Sequence, residues 1–291
     1  MKSVIPLTAA VLLATSGMAI ADENTAILNQ NGVANNAVAD QDDAGAIGNT
    51  ILQNQTGFLN EAYAEQVSVS QSTIMQVQEG AFNNAYSLQS GGTDHTAIIQ
   101  QGGAGNSANT FQFGGSANTA IIQQQGFSNE GTVLQIAGSG NTAMIQQTGT
   151  LLNAFIGQYG SLDSDAYIIQ SGVDNEAEIA QVGVGHIATI TQSGLLNYAA
   201  ANQAGFYNNV DIMQDGIGNR ALVFQAGWYH SAVLDQIGQF NSAVINQLGL
   251  GHSAIVSQSG LLNDAYISQT GIAETAIINQ VGIGNTATVL Q

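Results

Sequence analysis

Cysteine is absent from this 291-residue chain, proline occurs once, and basic residues occur twice. Without cysteine no disulfide framework exists, so stability has to come from backbone ladders and packing. Lys2 and Arg220 stand against 20 acids, and the formal charge is −18. Such a chain has no cationic surface to displace counterions from a nucleic acid, and none to draw it to anionic lipid. Charged residues are also scarce, at 8%, while apolar residues reach 44%. That combination fits neither an ordinary soluble domain nor a disordered chain.

The N-terminus reads as a secretory leader. Lys2 supplies the positive start, Val4 to Gly17 is an apolar stretch holding the only proline, Pro6, and Ala19-Ile20-Ala21 is a small-x-small cleavage site. The stretch is short for a membrane anchor. The expected division is therefore a signal peptide over residues 1–21 and a single domain over 22–291. Removal of Lys2 leaves Arg220 as the only base.

From Asn24 onward an 11-residue unit, Asn-x-Ala-x-Ile-x-Gln-x-Gly-x-x, repeats to the end. Its glutamine recurs 24 times without a gap. One class of units carries Gln30, Gln55, Gln78, Gln101, Gln124, Gln147, Gln170, Gln192, Gln214, Gln236, Gln258 and Gln280. The alternating class carries Gln41, Gln66, Gln89, Gln112, Gln135, Gln158, Gln181, Gln203, Gln225, Gln247, Gln269 and Gln291. Marked positions two apart are strand geometry, with their side chains on one face. Gly eight residues into the unit supplies the turn. The second class opens with Asn in 11 of 12 units, among them Asn175, Asn197, Asn219, Asn241, Asn263 and Asn285, whereas the first class is mixed. Two strand classes imply two sheets, with one strand of each per coil.

The expected fold is thus all-β, a two-sheet β-solenoid of about twelve coils of 22–25 residues with amyloid-like cross-β stacking. Twelve coils at ~4.8 Å give a rod on the order of 58 Å long. The inner faces should meet as a dry zipper with Ala and Ile in the middle. Gln and Asn at its edges can form amide ladders between coils. A buried Gln without such partners would cost about 1–3 kcal/mol, a physical reason for an unbroken column. The added residue of the longer coils falls in the turn after the second-class strand, as in Gly91-Gly92-Thr93-Asp94, because a slip within a strand would swap its faces.

One stretch, Ser164, Gln170, Gly172, Asn175, Ala177 and Gln181 at the spacing Ser-x5-Gln-x-Gly-x2-Asn-x-Ala-x3-Gln, resembles the curlin repeat of bacterial curli fibre subunits. The likeness runs from Asn24 to Gln291. It implies a secreted amyloid subunit of the biofilm matrix that polymerises end to end, at the cell surface, for adhesion and colonisation. The implied partners are further copies in a homopolymer, a nucleator or partner curlin subunit, and a dedicated outer-membrane secretion pore. No nucleic acid and no membrane insertion are expected. Two features depart from the family. Asp22-Glu23 runs straight into Asn24, without the Gly-rich segment that the pore recognises. The last strand, Asn285 to Gln291, is regular and lacks a base, which favours a major subunit, although the wording of single units is also similar to nucleators.

Other constellations are weaker. Outward columns of the first class, such as Thr96, Thr119 and Thr142 or Ile98, Ile121 and Met144, read as strand surface or as a lateral contact stripe. All four histidines, His95, His186, His230 and His252, open first-class units. They are expected to replace Asn as edge hydrogen bonders. A pH-sensitive ladder of His230, His252 and Glu274 is the alternative. Carboxylate pairs such as Asp42-Asp43 and Asp163/Asp165 have no histidine or nucleophile beside them, and the short turns leave no wall for a cleft. Neither catalysis, nor a cofactor, nor a metal is expected. A monomeric β-solenoid adhesin or binding protein remains the alternative to a fibre, with ice binding a weaker version of it.

Overall fold

The computed structural model describes residues 23–41 and 47–291. The expected leader and the Asp42-Asp43 pair lie outside the described residues. Among those described, no helix is long and apolar enough to cross a membrane.

Among the described residues, 24 strands alternate between two sheets of 12, each wholly parallel. The first sheet runs from Thr25–Val33 to Thr275–Ile283, and the second from Asn36–Asp40 to Thr286–Leu290. Neighbours in a sheet are always one coil apart, so the chain is a two-sheet β-solenoid, as its period predicts. Parallel strands need both faces covered or stabilised. Here the inner faces of the sheets cover each other. The register aligns like with like: Thr142 pairs with Thr119, Ala143 with Ala120, Ile145 with Ile122, Gln147 with Gln124 and Gly149 with Gly126. Extra residues of the longer coils are confined to one arc. There Ile47, Ser70, Thr93 and Ser116 stack as isolated parallel bridges, and Ser139, Leu162 and Val184 continue the column.

Ala and Ile fill the core, with Ile99, Ile122, Ile145, Ile156, Ile168, Ile179 and Ile190 all inaccessible to solvent. The zipper is closed to solvent but not apolar throughout. Near the N-terminus Gln53 and Gln76 occupy the Ile position, while Ile51 and Ile74 occupy the Ala position. Gln53 Nε2 donates to Gln76 Oε1 (2.8 Å), Gln76 Nε2 to Ser87 Oγ (3.0 Å), and Thr110 Oγ1 to Ser87 Oγ (2.9 Å). This polar thread separates a small cluster (Ile51, Ala64, Ile74, Ala97) from the main core, which begins at Ala85. Its first acceptor, Gln53 Oε1, is buried without a partner, because the equivalent residue one coil back is Leu28.

The arcs need glycine for a second reason besides φ. Gly126 has φ +127°, and a Cβ there would run into the carbonyl oxygen of Gly149 in the next coil. Two residues later the chain takes a second left-handed step that non-glycine residues accept, including Leu59, Phe82, Leu196, Tyr207 and Tyr229. Each such step costs about 1–2 kcal/mol. It persists because the ladders on both sides hold the arc in place.

Candidate assembly surfaces

The glutamines of both classes stand inside the rod, the first class at one edge of the zipper beside the start of the second-sheet strands and the second class at the opposite edge beside the start of the first-sheet strands. In the first sheet Nε2 of each Gln donates to Oε1 of the Gln one coil on, from Gln30 to Gln280, at 2.8–2.9 Å. In the second sheet the same chain runs from Gln41 to Gln291 at 2.6–3.1 Å. The second Nε2 hydrogen crosses between sheets. Gln147 reaches the carbonyl of Glu130 at 2.9 Å, and Gln280 that of Asp264 at 2.9 Å. A carbonyl can only accept, so the nitrogen has to face it, and the amide oxygen is left for the preceding coil. Every amide therefore points the same way, and both ladders are polar along the rod.

Asparagine does something the sequence alone does not reveal. Oδ1 of Asn175 accepts the backbone N–H of Asn197 (2.9 Å). Nδ2 of Asn197 donates to Ser193 O (2.8 Å) and to Gly216 O (3.1 Å). The same pattern links Asn197 to Asn219, Asn219 to Asn241, Asn241 to Asn263, and Asn263 to Asn285, with backbone-to-Oδ1 distances of 3.0–3.1 Å. Asn thus satisfies arc backbone groups that no strand partner reaches. Leu152, the one departure, can neither accept from the next N–H nor donate to a carbonyl.

Histidine copies this role atom for atom. Nδ1 of His230 accepts the N–H of His252 (3.2 Å), and Nδ1 of His252 accepts that of Glu274 (3.2 Å). Nε2 of His230 meets Ala226 O (3.2 Å) and Nε2 of His252 meets Leu248 O (2.9 Å). His186 does the same with Asn208 N and Val182 O. An Nδ1 that accepts from N–H carries no proton, so the network assigns the neutral Nε2–H tautomer. The His230 and His252 rings stack 3° from parallel at 5.0 Å. Glu274 Oε2 lies 3.6 Å from His252 Nδ1 and accepts the N–H of Thr270. Burial pushes the pKa of His186 and of His230 down. His95 is also buried and its pKa is pushed down by burial, but its ring nitrogens make no hydrogen bond. Its arc, Gly91-Gly92-Thr93-Asp94, is one residue longer. The expected column of His230, His252 and Glu274 is thus brought together, as a set of rungs in a hydrogen-bond ladder.

The terminal coils are the least covered. Ile277, Val281, Ile283 and Leu290 are all more than 60% exposed, and Gln291 and Gln280 are the last rungs described. The surface hollows are shallow. One lies where Leu152 interrupts the Asn column, between Glu130, Asp174 and Glu176, and another lies over Gly102 among Gln100, Gln123 and Gln125.

Among the described residues, this arrangement of repeated side-chain ladders is that of a structural β-solenoid. The curlin-associated repeat matches six stretches, residues 115–149, 138–172, 162–194, 207–238, 231–260 and 241–271. The chain belongs to the curlin-repeat family. No curated protein gave a significant match. The matched stretches begin just after the polar thread of Gln53, Gln76, Ser87 and Thr110, where the core becomes regular.

Proposed function

We propose that the chain is a secreted structural subunit that polymerises end to end into extracellular curli-type fibres of a biofilm matrix, for adhesion and surface colonisation. The observation that carries this reading is the one-way direction of the amide ladders. Each coil offers amide N–H groups on one side and amide oxygens on the other, so the last coil of one copy complements the first coil of another. Gln280 and Gln291 would donate to Gln30 and Gln41, and both sheets would continue across the joint. The contact is heterologous, and stacking one coil on another along the rod axis gives no rotation that closes a ring, so it extends into a filament. A partner curlin subunit that seeds growth and an outer-membrane pore that exports the chain complete the proposal.

Electron microscopy and light scattering of the purified mature chain, incubated without denaturant, test it. Unbranched fibres with a cross-β spacing of ~4.8 Å along their axis are expected. A chain that stays a folded monomer at high concentration would favour a solenoid adhesin instead.

A further inference from the structure

Charge is distributed unevenly along the rod. Nine of the 20 acids precede residue 95 and ten follow residue 162. The 68 residues between carry a single charge, Glu130. This stretch spans the six strands from Thr96–Ala104 to Asn153–Tyr159, three in each sheet. It forms a nearly uncharged belt around a rod that is otherwise anionic.

Both flat faces are apolar at the belt. On the second sheet Phe111, Phe113, Leu134, Ile136, Phe155 and Tyr159 point outward and are half-buried by their stacked neighbours. Phe111 and Phe113 lie 10° from parallel at 6.3 Å, and Gly157 leaves room for the Tyr159 ring to lie flat across it. On the first sheet Ile98, Ile121 and Met144 form one outward column, flanked by Thr96, Thr119 and Thr142 and by Gln100, Gln123 and Gln146. The first-sheet columns carry no charge, and on the second sheet Glu130, beside Ser107 and Asn153, is the belt's single charge. Contiguous apolar surface bounded by charged flanks marks an interaction site.

We infer that the belt is a lateral docking surface for a second copy of this chain, the second-sheet face of one rod packing on the first-sheet face of its neighbour. The inference rests on the fibre reading above. Three observations choose this occupant. Anionic rods of one kind repel wherever their acids meet, and the belt is where they do not. The columns of both faces repeat at the same inter-strand spacing, so their side chains interdigitate rung by rung. The belt recurs once per subunit in every fibre, so two parallel fibres present it at one common interval. A contact too small to hold two monomers then adds up along the fibre. Opposite faces are used, so the packing is open-ended and yields bundles rather than pairs.

The test uses fibres grown from the mature chain, imaged by electron microscopy, with seeded elongation followed in parallel. Wild-type fibres should lie side by side in bundles. Phe111→Glu on the second sheet and Ile121→Glu on the first should each elongate at the wild-type rate and give single filaments. Ile255→Glu, an outward first-sheet position outside the belt, should bundle as wild type does. Wild-type fibres that stay solitary, or belt variants that bundle unchanged, would overturn the inference while leaving the fibre reading standing. Bundling lost with Phe111→Glu but untouched by Ile121→Glu would overturn the opposite-face packing. Absence of fibres in the wild type would instead remove the fibre reading itself.

Discussion

Replacing Gln147 by Leu isolates the contribution of one rung, because the two side chains are similar in volume and Gln147 is inaccessible to solvent. Gln147 makes three hydrogen bonds. Its Oε1 accepts from Gln124 (2.8 Å), and its Nε2 donates to Gln170 (2.9 Å) and to Glu130 O (2.9 Å). The substitution strands the Gln124 donor, the Gln170 acceptor and the Glu130 carbonyl in a space closed to water. At about 1–3 kcal/mol for each orphaned group, the loss is on the order of 3–9 kcal/mol. Apolar burial of the new side chain returns about 1.5–3 kcal/mol, leaving a net destabilisation on the order of 2–6 kcal/mol. Gln146→Leu is the control. Gln146 is the next residue along, faces outward and is exposed, so its replacement should stay within about 0.5 kcal/mol. Guanidinium unfolding of freshly desalted chain, read by far-ultraviolet circular dichroism and by the single tryptophan, Trp228, compares the two. The two probes also show whether the coils melt together or in parts. Equal midpoints for Gln147→Leu and Gln146→Leu would refute the reasoning, since the amide column would then hold nothing that packing alone does not.

Three further outcomes follow from the same geometry. Gly126→Ala should destabilise by more than about 3 kcal/mol, because its Cβ meets the Gly149 carbonyl. Gly160→Ala, with open space around it and φ +59°, should cost about 1–2 kcal/mol, and thermal melts of the pair measure the difference. His186 and His230 have pKa values pushed down by burial, so the folded chain binds fewer protons than the unfolded one below the ordinary histidine value. Their contribution is complete above pH ~6.5 and is lost as pH falls below it; His186→Asn/His230→Asn, which keeps the ladder bonds, should remove that part of the acid sensitivity in unfolding midpoints compared at pH 8 and pH 5.5. Assembly at neutral pH and low salt should show a long lag, shortened by added salt because the −18 charge is screened over roughly 8 Å at physiological ionic strength; thioflavin kinetics with a lag indifferent to salt would show that charge does not limit assembly.

Much of the fold is legible in the sequence because a repeat multiplies weak signals. One Asn-x-Ala-x-Ile-x-Gln unit fits several strand arrangements, but 24 in succession leave only stacked parallel strands, and the invariant Gln marks an inward amide whose neighbours have to be its own kind. The alternation of two unit classes separates the two sheets, and the position of the extra residues, all in one arc, identifies the turn that absorbs them. The histidines are legible as substitutes for Asn, since all four fall on the unit's opening position.

Period and composition alone determined the architecture, the coil length and the Gln column, since these depend on spacing along the chain. The tertiary structure decided what depends on distance across it. It made Asn a partner of arc backbone as well as of the Asn amide one coil back, because the opening residue sits beside N–H and C=O groups that no strand reaches. It left the ring nitrogens of His95, which follows a longer arc, without hydrogen bonds where those of His186, His230 and His252 have them. It also set Gln53, Gln76, Ser87 and Thr110 in mutual contact across two sheets, which no period predicts. The direction of the ladders, too, came only from the fold, since an amide takes its orientation from the carbonyl opposite it, and that carbonyl belongs to the other sheet.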